Sequence, residues 1–263
     1  MILTLIHGKG YDATSVISLK CFITKCQQHL KSDTNMLWIA LQSNQLADTA
    51  LNVKDDFKVG IKEMEEELVK NGWVSPKLKS NMRNQINISN IDVNSFSRSK
   101  LQCSVERLKA GTNIIGEIPV LIKVKDKNNW YEKKDQILQH CITEMKKKDG
   151  KNIVVLYDYD RLFKEAAKDL ARLINDQRVV EYPSSQGKQA GIENIKKFAE
   201  YDNHILVTQK QYFDGCETSN VIFLTWGYVG LRNSLLRGVK NVFCVQVENN
   251  AKIDGMKEDN RFL

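Results

Sequence analysis

The sequence predicts an α/β domain with a parallel sheet between helices over residues 117–247, and three observations predict it. Short apolar runs rich in Val, Ile and Leu alternate with stretches whose apolar residues recur at helical spacing. The runs are continuous rather than alternately polar, so both faces of each strand are covered. Most successive strands are separated by enough chain for a crossover helix, which a parallel neighbour requires.

The elements follow in order. Ile118–Val124 reads as a buried strand. Ile137, Leu138, Cys141, Ile142 and Met145 mark one face of a helix within 131–148. Asn152–Tyr157, centred on Ile-Val-Val-Leu, is a second strand. Leu162–Ile174 is a helix with Phe163, Ala166, Ala167, Leu170 and Ile174 on one side. Arg178–Tyr182 is a short strand, 183–187 a loop, and Ile192, Ile195, Phe198 and Ala199 mark another helix. His204–Thr208 and Val221–Thr225 are strands, Val229–Val239 a helix and Val242–Val247 the last strand. Ligands of such sheets bind in the loops at the carboxyl ends of the strands. The first third is less regular. Ile2–Ile6 and Met36–Leu41 read as strands around a helix at 14–30, and Lys54–Lys70 as a charged amphipathic helix. Residues 84–116 are polar and read as a bridge, and the polar tail after Glu248 reads as loose.

Composition sets the class. With 42% apolar and 27% charged residues, the chain of 263 residues reads as an ordinary globular protein. No apolar run reaches the ~20 residues that span a bilayer. The opening Met-Ile-Leu-Thr-Leu-Ile is too short and insufficiently basic for a signal peptide, so a cytoplasmic or nuclear location and no membrane partner are expected. Six cysteines without a Cys-x-x-Cys pair and four scattered histidines argue against zinc and against a disulfide framework, and no metal ligand is assigned. Cys141 and Cys244 read as buried small hydrophobes. The net charge of +7 suits a polyanion. The densest basic cluster, Lys146, Lys147, Lys148 and Lys151, closes a helix, where cations favour the dipole in any case.

Three segments carry chemistry in a fixed order. The first is Leu37-Trp38-Ile39-Ala40 with Gln45, followed by Leu78-Lys79-Ser80-Asn81-Met82-Arg83-Asn84. The second is Phe213-Asp214-Gly215-Cys216-Glu217 ahead of Val221-Ile222-Phe223-Leu224. The third is Ser234-Leu235-Leu236-Arg237-Gly238-Val239-Lys240 ahead of the last strand. Together they resemble motifs of superfamily 1 helicases of the UvrD/Rep type, over residues 37–247. The resemblance implies a RecA-like P-loop NTPase fold. Residues 1–84 would form part of a first lobe, 85–116 a polar connector, 117–247 the second lobe and 248–263 a polar tail. It implies ATP and magnesium as cofactors. Arg237 would be an arginine finger and Arg83 a contact to the γ-phosphate, roles that suit a planar, permanently charged guanidinium. Glu217 would bind the ribose, Gly215 beside it would belong to the same nucleotide-binding motif, its bland reading being a backbone turn, and Gln45 would couple nucleotide to a nucleic-acid track.

The departures from the family are as specific. No Gly-x-x-x-x-Gly-Lys-Ser/Thr is present; His7-Gly8-Lys9-Gly10 has no hydroxyl in the right place. The strand Ile2–Ile6 ends without an Asp-Glu pair. Leu41-Gln42 stands where the family has Gly-Asp, Asp214 where it has lysine and Met82 where it has tyrosine. A helicase-like module without hydrolysis of its own is expected, with nucleotide binding weak or absent. The alternatives are a non-catalytic nucleic-acid-binding or regulatory interaction domain, or a fragment of a larger ATPase whose partner is the missing half, another protein or single-stranded nucleic acid. Bland readings stand beside the sharp ones: Arg237 as a surface arginine, Arg83 in an ion pair, Gln45 as a structural amide, Trp38 as core. The aromatic pairs Trp130-Tyr131 and Tyr212-Phe213 are isolated and form no stacking track.

Overall fold

In the structure, a computed structural model, the residues described are 2–5, 37–40, 66, 68–70, 72, 74, 80–81, 84–93, 109–149, 151–158, 161–174, 178–213, 216–226, 235, 237–248 and 253–262. Two compact units divide the chain, Met1–Leu78 and Lys79–Leu263. In the first, β1 (Ile2–Leu5) and β2 (Leu37–Ala40) pair in parallel, as two strands joined by a long crossover do. Glu66 and Leu68–Lys70 are helical. Gly72, at φ +85°, closes that helix with its N–H on the Val69 carbonyl. The expected helix at 14–30 lies outside the described residues.

The second unit is built on seven strands. In chain order, the short pieces come first: β3 (Ser80–Asn81), α1 (Ile86–Ser89), β4 (Asp92–Val93) and β5 (Lys109–Ala110). Then come β6 (Val120–Val124), α2 (Lys127–Asp149), β7 (Ile153–Tyr157), α3 (Ala166–Ile174), β8 (Val179–Tyr182), α4 (Lys188–Glu200), β9 (Ile205–Gln209), β10 (Thr218–Thr225), β11 (Gly238–Val247), β12 (Ile253–Asp254) and β13 (Lys257–Asp259). The sheet order is β13-β6-β11-β10-β7-β9-β8, and every pairing in it is parallel. The expected α/β fold with a parallel sheet between helices is therefore observed.

The direction of travel sorts the helices. Chain moving from β6 to β7 and from β7 to β8 carries α2 and α3 onto one face, where Trp130, Ile137, Cys141, Met145 and Leu170 cover Val155, Ile222 and Val245. Chain moving back covers the other face, where Leu235, Phe213 and the partly buried Phe198 meet Leu156, Phe223 and Cys244, joined there by Ile88 of α1, which precedes β6. One handedness of crossover produces this sorting. α2 is started by Asp126, whose carboxylate accepts the Asn129 N–H at 2.9 Å. Its last turn carries Lys146, Lys147 and Lys148, with Lys147 paired to Glu144 and Lys148 to Glu117.

Several boundaries differ from the sequence reading, each for a local reason. The helix expected at 162–174 divides into a 3-10 turn, Arg161–Phe163, and α3. The helix expected through Val239 stops earlier, because Gly238 and Val239 already belong to β11. A Cβ on Gly238 would lie 2.5 Å from the Val242 side chain and 3.0 Å from the Asn241 carbonyl, so only glycine fits where β11 begins. α4 approaches β8 through Gly191, whose missing Cβ would stand 3.2 Å from the Tyr182 ring. Phe198 is thereby half-buried, while Ile192 and Ile195 stay more exposed.

The polar connector and the loose tail are corrected as well. Ile88 and Ile91 from the former and Ile253 from the latter are buried in one cluster, and β12 pairs antiparallel with β4. β13 adds the outermost strand beside β6. These segments hide single isoleucines among polar residues, so they look like linkers in sequence yet fold onto the sheet.

The end of the chain is held by a small charged cluster. Arg261 Nη2 lies 2.8 Å from His140 Nε2 on α2, the Asp259 carboxylate lies 3.5 Å from the same nitrogen, and Phe262 packs on the His140 ring. Burial, then the Arg261 guanidinium, lowers the His140 pKa from its ordinary 6.5, against the pull of Asp259 and Glu144. The unfolded chain therefore binds this proton more readily, and stability falls as pH drops through 6.5 toward the folded value. Urea unfolding from about pH 7.5 to about pH 5.5 is expected to show this loss, and His140→Gln to flatten it.

Candidate functional site

Two polar regions flank the apolar sheet, one at each end of its strands. The first lies at the amino edge and contains two of the motif residues, Glu217 and Arg237. β10 and β11 start side by side, with Thr218 opposite Gly238 and the Thr218 N–H donating to the Arg237 carbonyl at 3.1 Å. Arg237 is 5% exposed, and its Nη1 lies 3.5 Å from the Cys216 carbonyl. Glu217 is exposed between Cys216 and β10. The structure thus brings Arg237 and Glu217 onto adjoining turns, with the guanidinium turned inward against the backbone. Arg83, Gly215 and Gln45 lie outside the described residues.

A ladder of asparagines fixes this edge. Asn84 Nδ2 donates to the Gly238 carbonyl at 2.8 Å, which ties the end of the Leu78–Asn84 segment to the Arg237–Gly238 turn. Asn241 donates to Asn220 at 2.8 Å, and Asn220 to the Asn152 carbonyl at 3.2 Å. Asn152 in turn donates to the Phe198 and Tyr201 carbonyls and accepts the His204 N–H. Side-chain amides of this kind satisfy backbone groups that strand ends leave open.

The second region lies at the carboxyl edge. β7 and β10 are neighbours, yet the chain leaves β7 toward β8 and leaves β10 toward β11, on the opposite side. This divergence is the point where open parallel sheets bind ligands. Lys123 on β6, Gln246 on β11 and Thr225 on β10 stand side by side in register, and the row continues through Asp158 and Lys210, which directly follow β7 and β9. Lys123 pairs with Glu258 of β13 at 2.5 Å. Thr225 donates its hydroxyl proton to Asp158 Oδ2, and Lys210 pairs with Asp158 Oδ1 at 2.8 Å. Gln246 is fully buried, and neither its oxygen nor its nitrogen has a hydrogen-bond partner among the described residues. Just beyond, the Trp226 indole donates to Glu248 at 2.7 Å, and the Lys127 ammonium sits 3.7 Å from the ring centre.

Sequence reasoning misses this row, although its signal is present: glutamine interrupts the apolar run Val242–Val247. The aromatic pairs divide in the structure. Trp130 and Phe213 are core, while Tyr131 and Tyr212 are exposed. Cys141 and Cys244 are buried thiols whose pKa values burial pushes up, while Cys216 is an exposed free thiol. Among the described residues no group of three or more His, Cys, Asp or Glu is placed to hold a metal ion, and no helix is long and apolar enough to cross a membrane.

Comparison with known proteins adds little to this geometry. No protein-family model matches the chain, and no curated protein does. Among solved structures it is similar to the C-terminal domain of a possible DNA helicase from Lactobacillus plantarum WCFS1, with 12% sequence identity and a TM-score of 0.33 over 51% of this chain and 76% of that one. What the fold itself defines is a protein with a parallel α/β domain.

Proposed function

We propose that the chain is a helicase-like module derived from a nucleoside triphosphatase, its second unit serving as a RecA-like second lobe without hydrolytic activity of its own. The observation that supports this reading most is the amino-edge geometry: the turns bearing Glu217 and Arg237, matched to separate motifs, are joined by the Thr218–Arg237 backbone bond. The fit to a nucleotide is partial. Arg237 faces the Cys216 carbonyl, so it reaches a phosphate only if that turn opens. Among the described residues no group of three or more His, Cys, Asp or Glu is placed to hold magnesium. As partners we propose the complementary ATPase half, or single-stranded nucleic acid.

The melting temperature with and without ATP tests the reading. With a Kd of about 1 mM, about 5 mM ATP stabilises by roughly 1 kcal/mol, which raises the melting temperature by about 2–4 °C. That rise is expected, without phosphate release. No rise favours a regulatory interaction domain instead, and clear turnover by the purified chain refutes the non-hydrolytic assignment.

A further inference from the structure

The outermost strand of the sheet is held from two places. Along the strand, the Lys257 N–H donates to the Pro119 carbonyl at 2.8 Å, and Lys257–Asp259 lie in register beside Val120–Ile122. Beyond it, Arg261 and Phe262 close on His140 of α2. β13 itself is Lys-Glu-Asp and has no apolar side chain with which to grip the sheet, so the hold at His140 carries more of the attachment.

That hold has a chemical condition. A guanidinium only donates, and Arg261 Nη2 lies 2.8 Å from His140 Nε2. Nε2 must therefore present its lone pair, with the ring proton on Nδ1. A proton on Nε2 sets N–H against N–H and positive charge against positive charge. The His140 and Asp259 side chains are only 15% and 12% exposed, so solvent screens the clash in part. Arg261 is the member free to leave: its side chain is 63% exposed, while α2 is fixed on either side of His140 by buried Ile137 and Cys141.

The other groups around the ring do not undo the clash. Asp259 lies 3.5 Å from Nε2 and attracts an imidazolium, but Arg261 already holds its carboxylate through Nε and Nη2. Glu144, one turn along α2, pairs with Lys147. Lys133 adds positive charge where it donates to the Phe262 carbonyl at 3.3 Å. From β11 the ring meets Phe243, edge-to-face at 6.3 Å, with the Lys148 ammonium 6.0 Å from that phenyl ring. Arg261 holds Asp259 below its ordinary 3.8, Lys147 holds Glu144 below 4.5, and burial keeps the Cys141 thiol protonated. Among these groups only His140 changes charge in mildly acidic solution.

We propose that the chain end is a pH-operated strap: a proton on His140 displaces Arg261, and β13 lifts from the outer side of β6 while the rest of the sheet stays folded.

Amide exchange of the full chain tests this, followed at about pH 7.5 and about pH 5.5 and corrected for the intrinsic pH dependence of exchange. The probes are the Lys257 amide and, as interior reference, the amides of β7. Lys257 is expected to be at least about a hundredfold less protected than β7 at both pH values, since the strap opens without global unfolding. Its protection is expected to fall several-fold at the lower pH, and by no more than about tenfold, the most that one group with an open-state pKa of 6.5 permits one pH unit below it. His140→Gln keeps an acceptor oxygen for Arg261 and is expected to abolish the fall. Arg261→Gln removes the opposing charge; it is expected to shrink the fall and to raise the midpoint of the His140 ring titration followed by NMR. The proposal is overturned if Lys257 is as protected as β7, if its protection is the same at both pH values, or if Arg261→Gln leaves the fall undiminished.

Discussion

Trp130→Ala is expected to lower the stability of the second unit by about 3–5 kcal/mol, the range for removing a large buried aromatic side chain. Trp130 is 1% exposed near the start of α2 and meets Phe163 edge-to-face at a centroid distance of 5.2 Å. It is among the largest fully buried side chains described, and it joins α2 to the 3-10 turn that precedes α3. Truncation leaves a hole bounded by two elements that the sheet holds in place, so the site collapses only in part. For a unit of this size the melting temperature should drop by on the order of 10 °C, read by circular dichroism. Trp130→Phe is expected to lose much less. It keeps a ring against Phe163 and removes an indole N–H that finds no acceptor among the described residues. Equal losses in the two variants would mean that the ring contact contributes little.

Arg237→Ala is the second large effect, expected at about 2–3 kcal/mol because a charged hydrogen-bond donor and a packed aliphatic stem are lost together. The guanidinium closes the turn before β11 onto the chain before β10. Arg237→Met separates structure from ligand binding, since it restores the stem without the charge. Urea unfolding reads stability, and the ATP-induced rise in melting temperature reads the ligand. If Arg237→Met recovers most of the stability but not the ATP response, the guanidinium contacts nucleotide. An undiminished ATP response in that variant makes Arg237 a clamp and nothing more.

The strands are legible in the sequence because a strand covered on both faces must be apolar throughout, as Ile153–Tyr157 and Val221–Leu224 are. Helix ends are less legible. α2 begins before the first periodic apolar residue, since its opening turn is polar and rests on the Asp126 cap. The connector and tail mislead because Ile88, Ile91 and Ile253 stand singly, without the periodicity that marks an element. The amino-edge residues can be named only through motif resemblance, and Arg83, Gly215 and Gln45 fall outside the described residues. The carboxyl-edge row is hidden for a different reason. Lys123, Asp158, Lys210, Thr225 and Gln246 are scattered widely along the chain, and only strand order and register align them.

β13 has a practical meaning for anyone who shortens this protein. It is three residues long and wholly charged, Lys-Glu-Asp, and it lies along the outer side of β6. Short charged strands at a sheet margin discourage pairing with other molecules. A chain cut after the last apolar strand, at Val247, would keep most of the buried side chains yet leave the backbone of Val120–Val124 open to neighbouring copies. Its solubility would then depend on concentration, even with the interior intact.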